Sequence, residues 1–374
     1  MRVLLGGVPF GCDNIGDEAI IAGVVGMLKE TLSGVELTVA TNDPATAAAL
    51  GVGVVPPFGF LDIGFDGFAA EVKRHDAYIW CGATGLSDYP HVALELVEIA
   101  QGEGVPTFIW GVGMDDELNP VFFRAHGRRL ALLKMLGLVG AYERYLHNRL
   151  KRRIARVLPR CKGVWLRDPP SAAMLAKMGF PGAHVTADSA ILLADMVDVR
   201  RETLKGSNPP MLGLCISTQR QVADLEGLKG MIAAVRNTGA CVLGIPMSPK
   251  TDRALLERLG VECIPGATPK DVMSAAANCD VVLSSRLHLL ILAANAGTPG
   301  LGIARGSKLA NWLSNFGETV VGSVYDCDWK AVTQRVLDTF ENRGDWKERR
   351  ESAYQMLNTR LEKARMELAA KLKE

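Results

Sequence analysis

Residues 2–32 read RVLLGGVPFGCDNIGDEAIIAGVVGMLKETL, and their order of segments is the clearest indication of the fold. An apolar run at 2–8 leads through a polar, glycine-containing loop at 9–17 into a helix-forming segment at 18–32. A buried strand, a glycine-rich turn and a helix, in this order, open a nucleotide-binding type of α/β unit. This opening therefore predicts a parallel sheet covered by helices.

The same alternation continues along the chain in two series. In the first, strands are expected at 35–41, 75–82, 105–113, 163–168 and 183–190, with helices at 91–104 and 169–179. In the second, strands are expected at 211–217, 241–248, 261–265, 280–285 and 298–304, with helices at 224–239, 251–260, 270–279 and 287–297. Because strands separated by helices pair in parallel, each series predicts one Rossmann-like domain.

Chain length agrees with two domains. The 374 residues suit two cores of roughly 150–200 residues each. Apolar periodicity is lost at 196–210, which holds two prolines and is interpreted as the linker. The predicted fold class is α/β, with Rossmann-like domains at 1–197 and 208–340 facing a cleft and a C-terminal helical tail at 341–374.

Composition excludes several classes of protein. A formal net charge of +1 argues against a nucleic-acid binder that relies on overall charge. No apolar stretch reaches the roughly 18 residues of a membrane-spanning helix, and the N-terminal segment does not resemble a signal peptide. The eight cysteines stand singly, without the spacing of a metal site, and such free thiols are typical of a reducing compartment. The sequence thus predicts a cytoplasmic protein without a bound metal.

Three places put polar residues where a strand ends and a helix begins, which is where doubly wound sheets bind anionic ligands. The first is GCDNIGDEAI (11–20), with Asn14, Gly16 and Asp17. An alternative interpretation makes Asp17 only a helix N-cap. The loop lacks the spacing of a dinucleotide site.

The second place is DVVLSSRLHLLILAANAG (280–297), where a nearly apolar helix opens with Arg286 and His288 after Ser285. Ionisable groups at the start of a buried helix are costly unless they are paired or hold a ligand. The alternative for His288 is a buried imidazole with satisfied hydrogen bonds. The third place, GIARGSKLANWL (302–313), offers Arg305 and Lys308. The alternative interpretation is a solvated cluster of surface charges.

Together these segments resemble the polysaccharide pyruvyl transferase family. The resemblance covers NIGDEAI (14–20), VWLRDPPSAAML (164–175), TADSA (186–190) and SRLHLLILAANAGTPGLGI (285–303), with Lys308 twenty residues after His288. Two segments depart from the family pattern. CGATGLSDY (81–89) replaces a run of three glycines, and ARGS (304–307) replaces a tyrosine-containing turn.

The resemblance implies a glycosyltransferase-B-like fold and a pyruvyl transferase that uses phosphoenolpyruvate as its donor substrate, with no cofactor. The acceptor is then a sugar, free or part of a polysaccharide or lipid-linked glycan, bound on the first domain's side, with the donor on the second domain's side. A donor with a carboxylate and a phosphate requires cationic hydrogen-bond donors. The hypothesis assigns donor binding to Arg286, Lys308, Arg167 and Ser285, general acid chemistry to His288, base chemistry to Asp17, and acceptor binding to Asn14, Gly16 and Glu18.

Residues 124–162 form a separate basic segment, with twelve Lys or Arg and one acidic residue, Glu143. Basic and apolar residues alternate there at helical spacing. One interpretation is a helix that packs its apolar side on the domain and exposes a basic face to water. The other is an interfacial segment in peripheral contact with anionic lipid or a lipid diphosphate at the inner face of the membrane.

Two rival functions remain open. A nucleotide-sugar glycosyltransferase shares this architecture, but it requires an acidic residue in the second domain for the ribose hydroxyls, and the helix after Arg286 offers none. A non-catalytic sugar or anion sensor is favoured by the altered segment 81–89. The retained Asp17, Arg286, His288 and Lys308 argue against that sensor.

Overall fold

The computed structural model describes residues 1–199, 209–217, 222–342 and 344–374. The chain divides into two compact units. The first contains Met1–Cys12, Val24–Asp188 and Thr359–Glu374, and the second contains Asp13–Gly23 and Ser189–Asn358. Most of the interpreted linker, 200–208, lies outside the described residues.

The first sheet has seven strands in the order β3-β2-β1-β4-β5-β6-β7, and every neighbouring pair is parallel. The strands are β1 (Arg2–Phe10), β2 (Glu36–Thr41), β3 (Gly53–Val55), β4 (Ala77–Cys81), β5 (Thr107–Val112), β6 (Gly163–Leu166) and β7 (His184–Val185). Their helices are α1 (Ile15–Thr31), α2 (Pro44–Ala49), α3 (Phe68–Val72), α4 (Gly85–Asp88), α5 (Pro90–Gly102), α6 (Pro120–Phe123), α7 (Gly127–Met135), α8 (Val139–Val157) and α9 (Pro169–Lys177). All residues of β4 and β5 are buried, as expected for central parallel strands.

The second sheet has six strands in the order β10-β9-β8-β11-β12-β13, again all parallel. The strands are β8 (Met211–Cys215), β9 (Cys241–Gly244), β10 (Glu262–Cys263), β11 (Val281–Ser284), β12 (Gly300–Ala304) and β13 (Gly322–Ser323). The helices are α10 (Leu193–Met196), α11 (Leu225–Asn237), α12 (Asp252–Arg258), α13 (Pro269–Asn278), α14 (Leu287–Asn295), α15 (Ser307–Leu313), α16 (Trp329–Glu341) and α17 (Trp346–Lys373). Helix α14 is almost wholly buried, which explains its nearly uninterrupted apolar sequence.

Both sheets have a point where the strand order reverses, between β1 and β4 in the first and between β8 and β11 in the second. Open parallel sheets bind ligands in the crevice beyond the carboxyl ends of the strands at such a point. In the second sheet these ends are Cys215 and Ser284, and the chain enters α14 three residues after Ser284. The start of α14 therefore lies at the position where such sheets bind ligands.

The predicted α/β class with two Rossmann-type parallel sheets and a C-terminal helix is confirmed. The pattern missed β3, β13 and α16, and it predicted too long a strand at 183–190. Only His184 and Val185 pair there, because Ser189–Leu192 already turns as a short 3-10 helix. No helix in the described part of the chain is both long and apolar enough to span a bilayer.

The first part of the C-terminal helix α17 belongs to the second unit and its last part to the first unit, and each part contacts residues of its own unit. In the second unit, Trp346 Nε1 donates a hydrogen bond to the Gly297 carbonyl at 3.0 Å. In the first unit, the Trp165 Nε1 group donates to Glu367 at 3.0 Å. The helix therefore contains a buried indole, Trp346, whose N–H is satisfied within the second unit. It also contains Glu367, which satisfies the buried indole N–H of Trp165.

Candidate active site

The start of α14 is shaped by Ser284, the last residue of β11. The Arg286 N–H donates to Ser284 Oγ at 2.8 Å, and the Ser284 hydroxyl lies 2.9 Å from the Arg286 carbonyl oxygen. Arg286 is extended (φ −105°, ψ 121°) and stands at the N-cap position of α14. The hydroxyl thus stabilises the sharp passage from strand to helix, with Arg286 at its corner and His288 in the first helical turn.

Arg286 is held by a bidentate ion pair with Asp252, the first residue of α12. Its Nε lies 3.0 Å from Asp252 Oδ2 and its Nη2 lies 2.8 Å from Oδ1. Asp252 is fully buried. Burial lowers the pKa of the Arg286 guanidinium, but the hydrogen bonds and charge of Asp252 more than offset this, and the pKa is raised. Nη1 of Arg286 donates to no described residue, so it is available to an anion.

Asp17 lies beside this pair, in the first turn of α1 and within the second unit. Its side chain is buried, and Asn14 Nδ2 donates to Asp17 Oδ2 at 2.8 Å. Burial raises the pKa of Asp17 to about 6, although the charges of His288, Arg286 and Lys308 and the Asn14 hydrogen bond act in the opposite direction. The carboxyl group therefore exchanges its proton near neutral pH, as a general acid or base must.

The segment that contains Asp17 is attached to the loop between β9 and α12. Asp13 has a left-handed backbone (φ 61°), and its carboxylate accepts hydrogen bonds from Ser248 Oγ at 2.6 Å and from the Lys250 N–H at 3.1 Å. The Ile15 N–H donates to the Met247 carbonyl at 3.0 Å. These contacts explain why residues 13–23 belong to the second unit although β1 belongs to the first.

Gly16 is in direct contact with the imidazole of His288. A Cβ atom at position 16 would overlap His288 Nδ1 and Cγ. The absence of a side chain at this position lets the imidazole lie against the first turn of α1. Gly16 therefore acts through His288, and its predicted role in acceptor binding stays a prediction.

The structure brings most of the predicted site residues together in the second unit. Asp17 interacts electrostatically with Arg286, His288 and Lys308, and Lys308 is itself buried in the first turn of α15. Glu18 is half-buried in the turn of α1 that contains Asp17. These residues form a cluster of three cationic or protonatable groups around one carboxyl group.

Ser285 has a different environment from the one expected of a donor-binding residue. It is fully buried, and its Oγ accepts a hydrogen bond from the Ser217 N–H at 2.8 Å. The Ser285 N–H donates to the Cys215 carbonyl at 3.0 Å. Both bonds connect the carboxyl ends of β8 and β11, so Ser285 supports the turn that presents Arg286.

Arg167 belongs to the first unit, directly after β6. Its Nε donates to Asp168 at 3.0 Å, and its Nη1 lies 3.9 Å from the Asp188 carboxylate. Burial lowers its pKa, but Asp168 and Asp188 outweigh burial and raise the pKa overall. The charge of this buried guanidinium is thus balanced by carboxylates of its own unit, with Gly113 packed against it.

The interpretation of Asp17 as an N-cap is wrong. Helix α1 begins at Ile15, and the Asn14 side-chain oxygen accepts the Gly16 N–H at 3.2 Å, which is the capping interaction. Sequence reasoning also missed Asp13, Ser248 and Asp252. Asp252 begins a helix, where an acidic residue is common because it interacts favourably with the helix dipole. Its presence there therefore gives no signal of a functional role.

One departure from the family pattern has a visible backbone consequence. Within CGATGLSDY (81–89), Gly82 and Ala83 have φ values of 82° and 57°. The Ala83 carbonyl accepts the Gly113 N–H at 2.7 Å. Ala83 thus occupies a left-handed conformation that favours glycine, so the turn keeps a glycine-like backbone without the glycine.

A model of the polysaccharide pyruvyl transferase family matches residues 14–307. No curated protein matches the chain significantly. Among solved structures, the chain is similar to a UDP-GlcNAc 2-epimerase from Neisseria meningitidis bound to UDP-GlcNAc, with 12% identity over 100% of this chain and 99% of that chain and a TM-score of 0.56.

A putative UDP-N-acetylglucosamine 2-epimerase from Listeria monocytogenes is similar at 11% identity, over 95% and 90% of the two chains, with a TM-score of 0.58. The glycotransferase of kitacinnamycin is similar at 12% identity, over 99% and 98%, also with a TM-score of 0.58. At these identities the similarity shows the fold, which is of the glycosyltransferase-B type.

Replacement of Gly16 by alanine tests the contact with His288. The added Cβ has no space, so we expect the Gly16→Ala variant to lose about 1–3 kcal/mol of unfolding free energy, measured by urea denaturation. Gly230→Ala is the matched control, because Gly230 lies in α11 with open space around its Cα. Equal stability of the two variants would contradict the close approach of His288.

The pKa of Asp17 predicts a pH-dependent stability. The folded protein holds the Asp17 proton up to pH about 6, whereas the unfolded chain releases it near the ordinary value of 3.8. The stability contribution of this group is therefore present at low pH and is lost as the pH rises through that interval. We expect a loss of about 3 kcal/mol between pH 4 and pH 7.

Asparagine does not titrate, so the stability of the Asp17→Asn variant lacks the pH dependence that Asp17 contributes. The difference in unfolding free energy between wild type and Asp17→Asn should therefore change by about that amount across the same pH range, in favour of the variant at pH 7. A difference that stays constant from pH 4 to pH 7 would show that the pKa of Asp17 is not raised.

Proposed function

The chain belongs to the polysaccharide pyruvyl transferase family, and we propose that it transfers the pyruvyl group of phosphoenolpyruvate to two hydroxyls of a sugar or glycan. The product is a pyruvyl ketal, and inorganic phosphate is released. The observation that supports this proposal most directly is the cluster of Arg286, His288 and Lys308 around the buried Asp17.

Donor binding is assigned to Arg286 and Lys308. Arg286 is preorganised, because Asp252 holds its Nε and Nη2 and leaves Nη1 available. A planar guanidinium suits carboxylate or phosphate oxygens, and the ammonium of Lys308 suits the second anionic group. Arg167 stays a predicted donor-binding residue in the first unit, where carboxylates already balance its charge.

The reaction needs one proton donor and one proton acceptor. Protonation of the donor's methylene carbon makes a methyl group and leaves an oxocarbenium-like centre at the neighbouring carbon. One acceptor hydroxyl oxygen bonds to that carbon, the bond from carbon to the phosphate oxygen breaks, and the second hydroxyl oxygen closes the ring. Two hydroxyl protons are lost in total, which balances the proton on the methyl group and the proton that leaves with phosphate.

We assign the first proton to His288 and the abstraction of a hydroxyl proton to Asp17. An imidazole can donate a proton near neutral pH, and its contact with Gly16 places it beside the first turn of α1. Because burial raises the pKa of Asp17 to about 6, its carboxylate is a stronger base than an exposed aspartate. Asn14 holds one Asp17 oxygen and so orients the carboxyl group.

The assignment to the cytoplasm rests on cysteine chemistry. All eight cysteines are free, and several are buried. Burial raises the pKa of the Cys81 thiol to about 12, so this thiol is inert at neutral pH. Free thiols are characteristic of proteins in a reducing compartment.

Glycosyl transfer from a nucleotide sugar is the second candidate. It is favoured by the fold, since the Neisseria meningitidis epimerase contains UDP-GlcNAc. The second unit does contain a buried acid near the cluster, Asp252, but both of its carboxylate oxygens bind Arg286. That engagement leaves Asp252 poorly suited to hold the ribose hydroxyls of a nucleotide.

Calorimetric titration with phosphoenolpyruvate distinguishes the two candidates. We expect wild type to bind it, and Arg286→Lys and Lys308→Ala each to weaken binding roughly tenfold or more, because each variant loses a charged hydrogen bond to the donor. Lysine at 286 keeps a cation beside Asp252. Lys270→Ala is the matched control, because Lys270 is exposed in the same unit. Binding of a nucleotide sugar without binding of phosphoenolpyruvate would favour glycosyl transfer.

Removal of the His288 imidazole separates catalysis from binding. We expect His288→Ala to lower phosphate release, measured across a panel of glycan acceptors, by about 10²–10⁴-fold, the usual contribution of a general acid. Its affinity for phosphoenolpyruvate should stay within a few-fold of wild type. His147→Ala, at an exposed histidine, is the control. A parallel collapse of donor affinity would assign His288 to binding instead.

A further inference from the structure

We propose that helices α6 and α7 and the adjoining part of α8 form a docking surface for an anionic lipid bilayer. This membrane-docking surface consists of residues 121–152 in the first unit, and it is independent of the chemistry at Arg286. It would hold the enzyme at a membrane surface.

The surface exposes an unusual concentration of large apolar side chains. Seven of the thirteen such side chains that are exposed among the described residues lie between positions 121 and 145. They are Val121, Phe122, Leu132, Met135, Leu136, Leu138 and Tyr145. Helix α7 contains no fully buried residue. Only Leu130 and Leu133 are half-buried, so Ala131, Leu132 and Met135 are left uncovered by the domain.

Four exposed residues of α7 share one helical face. Arg128, Ala131, Leu132 and Met135 follow the i, i+3, i+4, i+7 spacing that aligns side chains along a helix, and all four are exposed. Arg129 and Lys134 fall on opposite flanks of this stripe at 100° per residue. The apolar stripe of α7 is Ala131, Leu132 and Met135, and basic residues border it. This is the pattern of a helix that lies in the interfacial region of a bilayer.

The positive charge of this segment is largely uncompensated. Of the twelve basic residues between 124 and 162, three make ion pairs, which join Arg124 to Glu117, Arg153 to Glu95 and Glu98, and Arg156 to Glu98. The other nine make no ion pair with any residue that the structure describes. They are Arg128, Arg129, Lys134, Arg144, Arg149, Lys151, Arg152, Arg160 and Lys162. The first seven of them belong to the membrane-docking surface.

Helix α8 adds a basic face. Its buried side, formed by Leu150, Ile154 and Val157, packs within the first unit, where Arg153 also binds the acids of α5. The opposite side presents Arg149 and Arg152 to solvent. A solvated basic face therefore explains the pattern of α8, whereas α7 has an exposed apolar stripe that contact with water alone does not explain.

Repulsion between like charges makes a second copy of this chain a less favourable occupant of the surface than an anionic bilayer. Two copies docked through this surface would bring Arg128, Arg129 and Lys134 of each against the same cations of the other. A negatively charged lipid surface instead attracts each basic residue while the apolar stripe enters the boundary of the acyl chains. The chemistry of the surface thus fits anionic phospholipid headgroups.

Co-sedimentation of the full chain with vesicles tests the proposal. One set contains phosphatidylcholine alone, and the other contains phosphatidylcholine and phosphatidylglycerol in a ratio of about 7 to 3. We expect binding to the anionic vesicles, at least tenfold weaker binding to the neutral ones, and loss of binding in high salt, because each basic residue near such a surface contributes roughly a fivefold factor.

Two variants probe the two components of the surface, each with a matched control. Met135→Glu should weaken binding at least tenfold, whereas Met366→Glu should not, although both methionines are exposed. Lys134→Glu should weaken binding about fivefold or more, whereas Lys177→Glu, at an exposed lysine of α9, should not. Because all four side chains are exposed, the variants should melt within a few degrees of wild type.

Three results would overturn the proposal. They are no binding to anionic vesicles, equal binding to neutral and anionic vesicles, and equal binding by Met135→Glu and Met366→Glu. A wild-type dimer that Met135→Glu abolishes, without vesicle binding by either protein, would identify a second copy as the occupant. Phosphoenolpyruvate binding measured on the same variants should be unchanged, so failure of this proposal is distinguishable from failure of the proposed function.

Discussion

The bidentate pair of Arg286 and Asp252 is the interaction on which the site depends. A buried guanidinium is costly without a buried anion, and the loss of either partner leaves an uncompensated charge. Asp252 also accepts the Ser248 N–H at 3.0 Å, and the Ser248 hydroxyl binds Asp13. The pair therefore connects the turn before α14, the start of α12 and the segment that contains Asp17.

The two buried carboxyl groups of the site have different environments and hence different uses. Asp252 has both oxygens bound to a guanidinium, so it acts as a fixed anion that orients Arg286. Asp17 receives one side-chain hydrogen bond from Asn14, and burial raises its pKa to about 6. Environment thus separates a structural carboxylate from one that can exchange a proton.

Each parallel sheet places an arginine within two residues of the end of a strand and compensates its charge locally. Arg167 follows β6 and lies between Asp168 and Asp188, while Arg286 follows β11 and binds Asp252. The two arginines differ in their neighbouring residues. Arg286 is accompanied by His288, Lys308 and Asp17, a combination that suits transfer chemistry on an anionic donor.

The sequence alone determined the α/β class, the two series of strands and the identity of the cationic residues. Buried parallel strands appear as continuous apolar runs, and Arg286 and His288 stand out because they interrupt such a run at the start of a buried helix. These signals are local. Short edge strands such as Gly53–Val55 and Gly322–Ser323 give no comparable signal, because two or three residues show no period.

Only the tertiary structure decided the partners of those residues. Arg286 and Asp252 are 34 positions apart, and Asp13 and Ser248 are 235 positions apart, so neither pair has a local pattern. The same long-range contacts assign residues 13–23 to the second unit, and the contact of Gly16 with His288 exists only because of them. Local propensity specifies the elements, whereas burial of charge across distant parts of the chain specifies the site.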